Sequence, residues 1–455
     1  KNSTMLHKII IENYKSFGTK SEISLYPNIK RAQYVEHIHE KDLLFPVLKH
    51  CLVVGGNASG KTNMVMAMKF LKDFCCKQQQ GEQQEDWLKH WYYNNRFKMP
   101  IAEDAAPIHL LVEFSFAGKY YTYSCAFDGE GIKIEALYRT PGLRLRPVVV
   151  FVRARNKVEF HKDIYVPEDD LRRLYQQMKL YPESSVLAMN ANLGFVENED
   201  IVNAQRWFLE KLEISHGDYS LPCLMDLYCN TPRSLGFTNT LLKKMGIGCT
   251  VAFSEHKPSE WLKCNVKYLD RTVLNLFEGG EISPAVYNYN DKDFIIRTVG
   301  RRKVVRQLEF VHTGVNGYEV RTKADEESAG TIHLLTLIAI LYQTIYQGKT
   351  FVADGLDVNI NGATFRDLMK LYCEAHGNGQ LIYTANSLMS MNQQEIVRVD
   401  EVNLLEKKDG ITNVITLDRF SKFKLKPLLS LMRNFLDGRL GGRPGEVSAE
   451  DIAEI

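Results

Sequence analysis

The sequence predicts an α/β fold with two lobes of mixed β-sheet and a helical insertion, and three observations carry this prediction. Residues 55–62 match the phosphate-loop pattern GxxxxGK[ST], which follows an apolar, β-prone run and precedes an amphipathic run at 63–74. A second apolar run, residues 349–353, ends at Asp354. Between these regions, residues 168–277 contain several segments with helical periodicity. Strand, loop and helix in this order indicate a unit that holds phosphate.

The phosphate loop predicts a nucleoside triphosphate as ligand. A glycine-rich turn allows backbone N–H groups to face a polyphosphate, and the following helix N-terminus adds partial positive charge. In this motif the lysine, Lys61, reaches the β- and γ-phosphates, and the Thr62 hydroxyl binds Mg²⁺. A chance glycine turn, the alternative, does not account for strand, loop and helix together. The residues predicted to contact the nucleotide are Gly55, Asn57, Ser59, Gly60, Lys61, Thr62 and Asn63.

Composition and charge narrow the class of protein. A length of 455 residues allows two or three domains. The net charge of +2 gives no overall field that favours nucleic acid, although a local basic groove stays open as an alternative. The nine cysteines are scattered, which indicates reduced thiols. No signal peptide is recognisable, and the most apolar run, 332–346, is too short for a membrane span. We therefore expect a soluble cytoplasmic protein that does not contact a membrane.

Changes in periodicity predict four segments. Residues 1–165 contain the phosphate loop and β-hairpin patterns, and we expect them to form the first lobe. Residues 166–278 have helical periodicity in short, interrupted stretches, which predicts a helical insertion rather than a long coiled coil. Residues 279–420 return to alternating strands and helices and are the predicted second lobe. Residues 421–455 form a C-terminal extension.

Two motifs far from the phosphate loop complete the predicted site. Asp354 lies where triphosphate-binding proteins place a carboxylate for Mg²⁺, so Thr62 and Asp354 are the predicted metal ligands. Upstream, Ser328 and Gly330 open an apolar helix, and a Ser-x-Gly at a helix start offers a hydroxyl and free N–H groups to an anion. An ordinary helix N-cap is the alternative explanation of this second motif.

In chain order these motifs resemble a known family. The order of elements is the one found in an ABC-type P-loop ATPase head. The Ser-x-Gly motif (the signature) is followed by a helix, by the strand that ends at Asp354, by a second helix and by a further strand at 380–384. The chain resembles prokaryotic AAA-family ATPases of the ATP/GTP-phosphatase type, which are related to the ATPase half of the overcoming-lysogenization-defect nucleases and to chromosome-maintenance ATPases. Residues 11–17 (IENYKSF) are similar to the family's opening, hNFrSF, and residues 435–444 to its YLxGRFG ending. The resemblance covers nearly the whole chain.

The resemblance implies ATP as the nucleotide and a homodimer or higher homo-oligomer that encloses it. In such heads the phosphate loop of one subunit faces the Ser-x-Gly signature of the other. By resemblance, Ser328, Gly330 and Thr331 would contact the γ-phosphate held by the partner subunit. Lys15 lies where the family often has a basic residue close to the phosphates.

The chain departs from the family at two hydrolytic positions. The glutamate that normally follows the metal-binding aspartate is replaced by Gly355. The histidine that should follow the strand at 380–384 is replaced by Asn386. Loss of one general base typically costs about 10²–10⁴-fold in rate, so hydrolysis is expected to be slow or lost while binding persists. Asp357 is the alternative candidate for the catalytic base.

Three functions follow from these motifs. The first is an ATP-dependent switch subunit of an antiphage defence system, which acts beside a separately encoded nuclease or toxin, as members of the resembled family often do. The second is an active ATPase stimulated by DNA, of the repair or chromosome-maintenance type. The third is a scaffold in which ATP is a structural ligand.

A cluster of histidines and carboxylates near the N-terminus suggests a metal site as one interpretation. We interpret it instead as a solvated loop, because no partner cluster with fitting spacing is visible in the sequence. The residues of this cluster are Glu36, His37, His39, Glu40 and Asp42.

Overall fold

The computed structural model describes most of the chain. The described residues are 4–31, 34–39, 45–77, 86–99, 106–142, 145–194, 197–216, 221–265, 286–289, 292–299, 302–387, 397–420 and 435. The predicted C-terminal extension, 421–455, lies outside them apart from Phe435, and so does the rest of the family-like ending at 435–444.

The chain divides into two compact units. The first unit contains residues 1–217, 343–357 and 365–455. The second unit contains residues 218–342 and 358–364. These limits do not coincide with the four segments predicted from periodicity, because both units are assembled from stretches that are far apart in sequence.

In chain order the strands are β1 (Met5–Glu12), β2 (Ser21–Ser24), β3 (Ile38–His39), β4 (Val47–Leu48), β5 (His50–Gly55), β6 (Ile108–Phe116), β7 (Lys119–Asp128), β8 (Gly131–Thr140), β9 (Val148–Ala154), β10 (Lys157–Phe160), β11 (Leu212–His216), β12 (Cys249–His256), β13 (Val286–Tyr289), β14 (Lys292–Val299), β15 (Arg302–Thr313), β16 (Glu319–Thr322), β17 (Thr350–Asp354), β18 (Gln380–Thr384), β19 (Val402–Lys408) and β20 (Ile411–Thr416).

The α-helices are α1 (Lys61–Cys76), α2 (Trp87–Asn95), α3 (Glu168–Leu180), α4 (Val186–Leu193), α5 (Glu199–Arg206), α6 (Leu221–Asn230), α7 (Pro232–Lys244), α8 (Pro258–Asn265), α9 (Ala329–Gln347) and α10 (Gly362–Glu374). Short 3₁₀ helices at Val35–His37 and Val399–Glu401 precede β3 and β19.

The first unit is built on a six-stranded, mostly parallel sheet in the order β11-β17-β18-β5-β19-β20. Strands β11, β17, β18, β5 and β19 run parallel to one another, and only β20, at the edge of the sheet, is antiparallel. The central strands are buried on both faces, which is why their sequences are continuous apolar runs. Parallel strands end at the same edge, so this topology gathers the residues that follow β5, β17 and β18.

A seven-stranded antiparallel sheet, ordered β10-β9-β8-β7-β6-β1-β2, forms the other layer of the first unit. The hairpins predicted between residues 108 and 138 are confirmed as β6, β7 and β8, in antiparallel register. Along β6 and β7 buried and partly exposed residues alternate, as expected for a sheet with one face in the core.

One buried glutamine joins the two sheets of the first unit. The Gln380 side chain accepts a hydrogen bond from Leu6 N at 2.8 Å and donates to Leu6 O at 2.8 Å and to Leu48 O at 2.7 Å. Gln380 is fully buried at the start of β18. Its amide therefore satisfies backbone groups of β1 and β4 that would otherwise lie in a dry interior.

The second unit contains a five-stranded antiparallel sheet made of β12 to β16. Helix α7 packs on β12, and the Asn239 side chain both accepts from Val251 N at 2.7 Å and donates to Val251 O at 2.8 Å. A small apolar cluster forms where Trp261 of α8 packs with Phe294, Ile296 and Val305.

The predicted helical insertion at 166–278 is helical only in part. It contains β11, which belongs to the parallel sheet, and β12, which belongs to the sheet of the second unit. The stretch NAQRWFLEKLEI, whose periodicity predicts one helix, changes from α5 through a π-helical turn at Trp207–Lys211 into β11. Pairing with β17 overrides the helical pattern of this stretch.

Helix α9 is long and apolar enough to cross a membrane by length and composition alone. More than half of its most apolar 18-residue window is buried inside the protein.

We predict that Gln380→Leu lowers the free energy of unfolding by about 2–4 kcal/mol, because each buried polar group left without a partner costs about 1–3 kcal/mol. Urea denaturation followed by circular dichroism measures this change. Gln176→Leu, on the exposed face of α3, is the matched control and should change stability by less than about 0.5 kcal/mol. Equal effects of the two substitutions would show that Gln380 does not join the sheets.

Candidate functional site

The phosphate loop connects β5 to α1, as its sequence predicts, and its glycines are required by close packing. A Cβ at Gly55 would lie 2.4 Å from Leu405 O and 2.6 Å from Ser59 Oγ, closer than any side chain allows. Gly60 has a φ of 110°, a conformation that L side chains rarely adopt, and its Cβ would lie 2.6 Å from Thr412 Oγ1. Helix α1 begins at the next residue, Lys61, so its N-terminus opens onto the loop.

Lys61 folds back over the loop. Its Nζ donates hydrogen bonds to Gly55 O at 2.7 Å and to Gly56 O at 3.0 Å. Burial lowers the pKa of Lys61, and the carboxylates of Asp354 and Asp357 act in the opposite direction. The ammonium group is thus held at the centre of the loop, where phosphate oxygens could replace the two carbonyl acceptors.

A network of hydrogen bonds between buried hydroxyl groups supports the phosphate loop. Thr412 Oγ1, in β20, is 2.8 Å from both Ser59 O and Ser16 Oγ. Asn63 Nδ2, in the first turn of α1, also donates to Ser16 Oγ at 2.8 Å. Ser16 belongs to the opening IENYKSF motif, so this motif contacts the phosphate loop directly.

Two further residues are predicted to contact the nucleotide: Asn57 in the loop and Lys15 in the opening motif. Asn57 is exposed and precedes Ala58, which has a φ of 61°. Lys15 donates its backbone N–H to Asn95 O at 2.6 Å, and its Nζ lies 5.7 Å from the centre of the Tyr14 ring. Burial lowers the pKa of Lys15.

The Asp354 carboxylate, at the end of β17, contacts side chains at the ends of β11 and β18 and in the first turn of α1. Thr62 Oγ1 donates to Asp354 Oδ2 at 2.8 Å, and Thr384 Oγ1, at the end of β18, donates to Oδ1 at 2.6 Å. His216 Nδ1, at the end of β11, lies 3.1 Å from Oδ2. The same Thr384 hydroxyl accepts from Gly355 N at 2.7 Å, which fixes the turn after β17.

Thr62 and Asp354 fit Mg²⁺. This cation prefers hard oxygen ligands and is commonly held by one or two protein oxygens together with substrate phosphates. The hydroxyl and the carboxylate are already in contact beside the phosphate loop, and Thr62 is exposed, so a metal bound to phosphate could reach both. These two residues would hold the cation, which would neutralise charge on the phosphates.

The two substituted hydrolytic positions have distinct surroundings. Gly355 has a φ of 61°, a left-handed conformation that favours glycine. Asn386 follows β18 and is exposed. The Asp357 carboxylate accepts from Asn386 N at 3.1 Å and from Ser387 N at 2.7 Å. Asp357, the alternative base, is buried, and both of its oxygens are engaged in holding the segment after β18.

The Ser-x-Gly signature lies in the second unit. Ser328 Oγ accepts from Thr331 N at 3.1 Å and is 2.9 Å from Thr331 Oγ1, which is the geometry of a helix N-cap. A Cβ at Gly330 would lie 2.9 Å from Asn359 O, so this position also requires glycine. Ser328 is exposed. The N-cap explanation and an anion-binding role are compatible, because the hydroxyl is accessible.

Several residues of the site were not predicted from the sequence. His216 and Thr384 contact Asp354, and Thr412 supports the loop, although they come from three separate strands. Polar residues at the ends of apolar strands are the signal that could have found Thr384. His216 had no such signal, because β11 reads as the continuation of a helix.

No protein-family model matches the chain, and no curated protein matches it. Among solved structures it is similar to an SMC head domain from Thermotoga maritima, with 15% identity, 90% of this chain and 98% of that chain covered, and a TM-score of 0.39. It is also similar to an SmcHead bound to the C-winged helix domain of ScpA, with 12% identity, coverage of 91% and 99%, and a TM-score of 0.44.

A third similar structure is an Smc head domain with an extended coiled coil bound to the C-terminal domain of ScpA, from Pyrococcus furiosus. It has 12% identity, coverage of 92% and 98%, and a TM-score of 0.43. The fold class of this chain follows from its own strand order and phosphate loop.

The strand order, the phosphate loop and the Thr62–Asp354 contact agree with the predicted α/β class and with the fold of an ABC-type P-loop ATPase head. Heads of this class bind ATP together with Mg²⁺. The relation to the overcoming-lysogenization-defect nucleases stays a prediction from the resemblance.

We predict that Gly60→Ala weakens ATP binding more than about tenfold, because the new Cβ must displace Thr412 or the loop backbone. The dissociation constant of a fluorescent ATP analogue measures this effect. Gly246→Ala is the matched control, since Gly246 also has a positive φ of 69° but nothing within 4 Å of the added Cβ. Unchanged affinity in Gly60→Ala would contradict the assigned packing.

Proposed function

We propose that the protein is an ATP-binding head that dimerises around nucleotide and acts as a switch subunit, with hydrolysis slow or absent. The observation that carries this proposal is the contrast between two sets of residues. The groups that bind phosphate and metal, Lys61, Thr62 and Asp354, are assembled and supported. The position that normally supplies the hydrolytic base is a glycine with a left-handed backbone, Gly355.

The backbone at Gly355 strengthens this interpretation. A non-glycine residue in the left-handed region costs about 1–2 kcal/mol. The turn is also fixed by the hydrogen bond from Gly355 N to Thr384 and by the one from Leu356 N to Thr384 O at 3.1 Å. The local structure thus suits glycine, and a glutamate at this position would meet backbone strain as well as the need for a new orientation.

Dimerisation around ATP is supported by the exposed signature. Ser328 is accessible at the start of α9, and its hydroxyl and the first free N–H groups of the helix could bind the γ-phosphate of a nucleotide held by a second copy. In this arrangement Ser328, Gly330 and Thr331 close the site that Lys61 and Thr62 open on the partner.

The wider role is that of a regulatory subunit in a prokaryotic, antiphage defence complex in the cytoplasm. Bound ATP would hold one assembly state, and its loss would release a separately encoded effector such as a nuclease or toxin. The resemblance to defence-associated ATPases supports this role, and so does a site whose binding residues are intact while its hydrolytic ones are substituted.

We predict that ATP with Mg²⁺ doubles the molar mass of the protein in light scattering, and that Ser328→Arg keeps ATP binding but stays monomeric. The bulky cation would block the signature from meeting the phosphates of a second copy. Ser259→Arg, at an exposed serine of the same unit, is the matched control and should dimerise normally. Lys61→Ala should neither bind ATP nor dimerise.

Two outcomes would contradict this proposal. One is a mass that ATP does not change in the unaltered protein. The other is a Ser328→Arg variant that dimerises with ATP as well as Ser259→Arg does. Steady ATP turnover that DNA stimulates would favour the alternative function, a DNA-dependent ATPase.

A further inference from the structure

A cluster of side chains of the types that can bind a metal lies at the end of β5 opposite the phosphate loop. His50 is the first residue of β5, and Gly55, where the loop opens, is about 17 Å further along the strand. His37 comes from the 3₁₀ helix before β3, and Cys373 from the last turn of α10. One potential ligand atom from each of these three residues lies within 4.8 Å of the other two.

The Glu401 carboxylate lies beside the two histidines of this cluster. Its Oε1 lies 3.0 Å from His37 Nδ1, and its Oε2 lies 3.2 Å from His50 Nδ1. All four side chains are buried: Glu401 is 0% exposed, His50 1%, His37 2% and Cys373 6%. The sequence-based interpretation of His37 and His39 as part of a solvated loop is therefore wrong, because the partners of His37 come from residues far along the chain.

One imidazole nitrogen in this cluster lacks an aligned hydrogen bond. His50 Nδ1 is buried and lies at ion-pair distance from Glu401, but out of line for a hydrogen bond. Its other nitrogen, Nε2, lies 3.1 Å from the Tyr383 hydroxyl. A hydrogen bond on one nitrogen that leaves the other directed at a ligand is the usual arrangement around a metal-binding histidine.

Charge balance also favours a cation here. The Glu401 carboxylate is buried between two imidazoles, and its Oε2 also accepts a hydrogen bond from Arg398 N at 2.7 Å. Such a buried charge is costly unless it is fully paired. A divalent cation with one thiolate, one carboxylate and two neutral imidazoles gives a site of zero net charge, and the thiol proton passes to solvent when the metal binds.

We propose that His37, His50, Cys373 and Glu401 form a structural zinc site. Sulfur, nitrogen and carboxylate oxygen are the ligands of Zn²⁺, whereas Mg²⁺ and Ca²⁺ prefer oxygen alone. With Zn–S of about 2.3 Å and Zn–N of about 2.0–2.1 Å, tetrahedral geometry needs ligand atoms about 3.3–3.6 Å apart. The Glu401 oxygens lie 3.0 and 3.2 Å from the two imidazole nitrogens, close to this spacing, and the remaining ligand atoms would move closer together around a metal. Four buried protein ligands leave no open position, so the site is structural rather than catalytic.

Such a site would fasten the strand that leads into the phosphate loop. It links the start of β5 to the 3₁₀ helix before β3, to α10 and to the 3₁₀ helix that precedes β19. Because β5 is also paired with β18 and β19, the metal would stabilise the parallel sheet at the edge opposite the nucleotide.

Elemental analysis of the purified full-length protein tests this proposal. We expect about one zinc per chain, a loss of most of it in Cys373→Ser, and retention in Cys125→Ser, a matched variant at a buried thiol of β7. Replacement of the metal by Co²⁺ should give the ultraviolet charge-transfer band of a cobalt–thiolate bond, present in Cys125→Ser and absent in Cys373→Ser.

Two results would overturn the zinc site. One is an unaltered protein that contains no zinc and takes up neither Zn²⁺ nor Co²⁺ on titration. The other is a Cys373→Ser variant that keeps its full metal content. If Cys373→Ser does not fold, the cobalt spectrum of the unaltered protein and the zinc content of Glu401→Gln decide the question, since loss of zinc in Glu401→Gln is expected.

Discussion

The carboxylate of Asp354 is the group on which the nucleotide site depends. It accepts hydrogen bonds from Thr62 and Thr384 and faces His216, so it ties the ends of β11, β17 and β18 to the first turn of α1. These residues are far apart in sequence, and parallel pairing brings them to one edge of the sheet. The contact between Thr62 and Asp354 would place two hard oxygen ligands beside the phosphates of a nucleotide bound in the loop.

The residues at this edge are the basis of the proposal that the protein binds ATP and hydrolyses it slowly or not at all. Binding would use the loop backbone, Lys61 and the two proposed metal ligands, Thr62 and Asp354, which are held by hydrogen bonds within the loop and to neighbouring strands. Hydrolysis needs a base positioned on the attacking water, and catalytic positioning supplies most of the rate in phosphoryl transfer. At Gly355 the side chain is absent and the backbone is left-handed, while Asp357 is occupied in holding the segment after β18.

Elements whose structure is indicated by a short-range sequence pattern could be predicted from the sequence. The phosphate loop, β5, α1 and β17 lie where the sequence predicts them, because the motif, the apolar runs and the helical periodicity are all short-range. Strand β11 could not be predicted, because its helical pattern is overridden by pairing with β17, and His216 was missed with it. The cluster of His37, His50, Cys373 and Glu401 could not be predicted from the sequence for a similar reason. Its residues come from four elements that only tertiary contacts bring together.

The fate of the γ-phosphate on protein-bound ATP tests the proposed switch most directly. Purified protein is loaded with Mg²⁺ and ATP labelled on the γ-phosphate, freed of excess nucleotide, and sampled over hours for retained ATP and released phosphate. We expect ATP to stay bound and intact, with phosphate release close to the rate without protein. Conversion of the bound ATP to ADP and phosphate within minutes would show that another residue supplies the base, and would contradict a switch that binds ATP without consuming it.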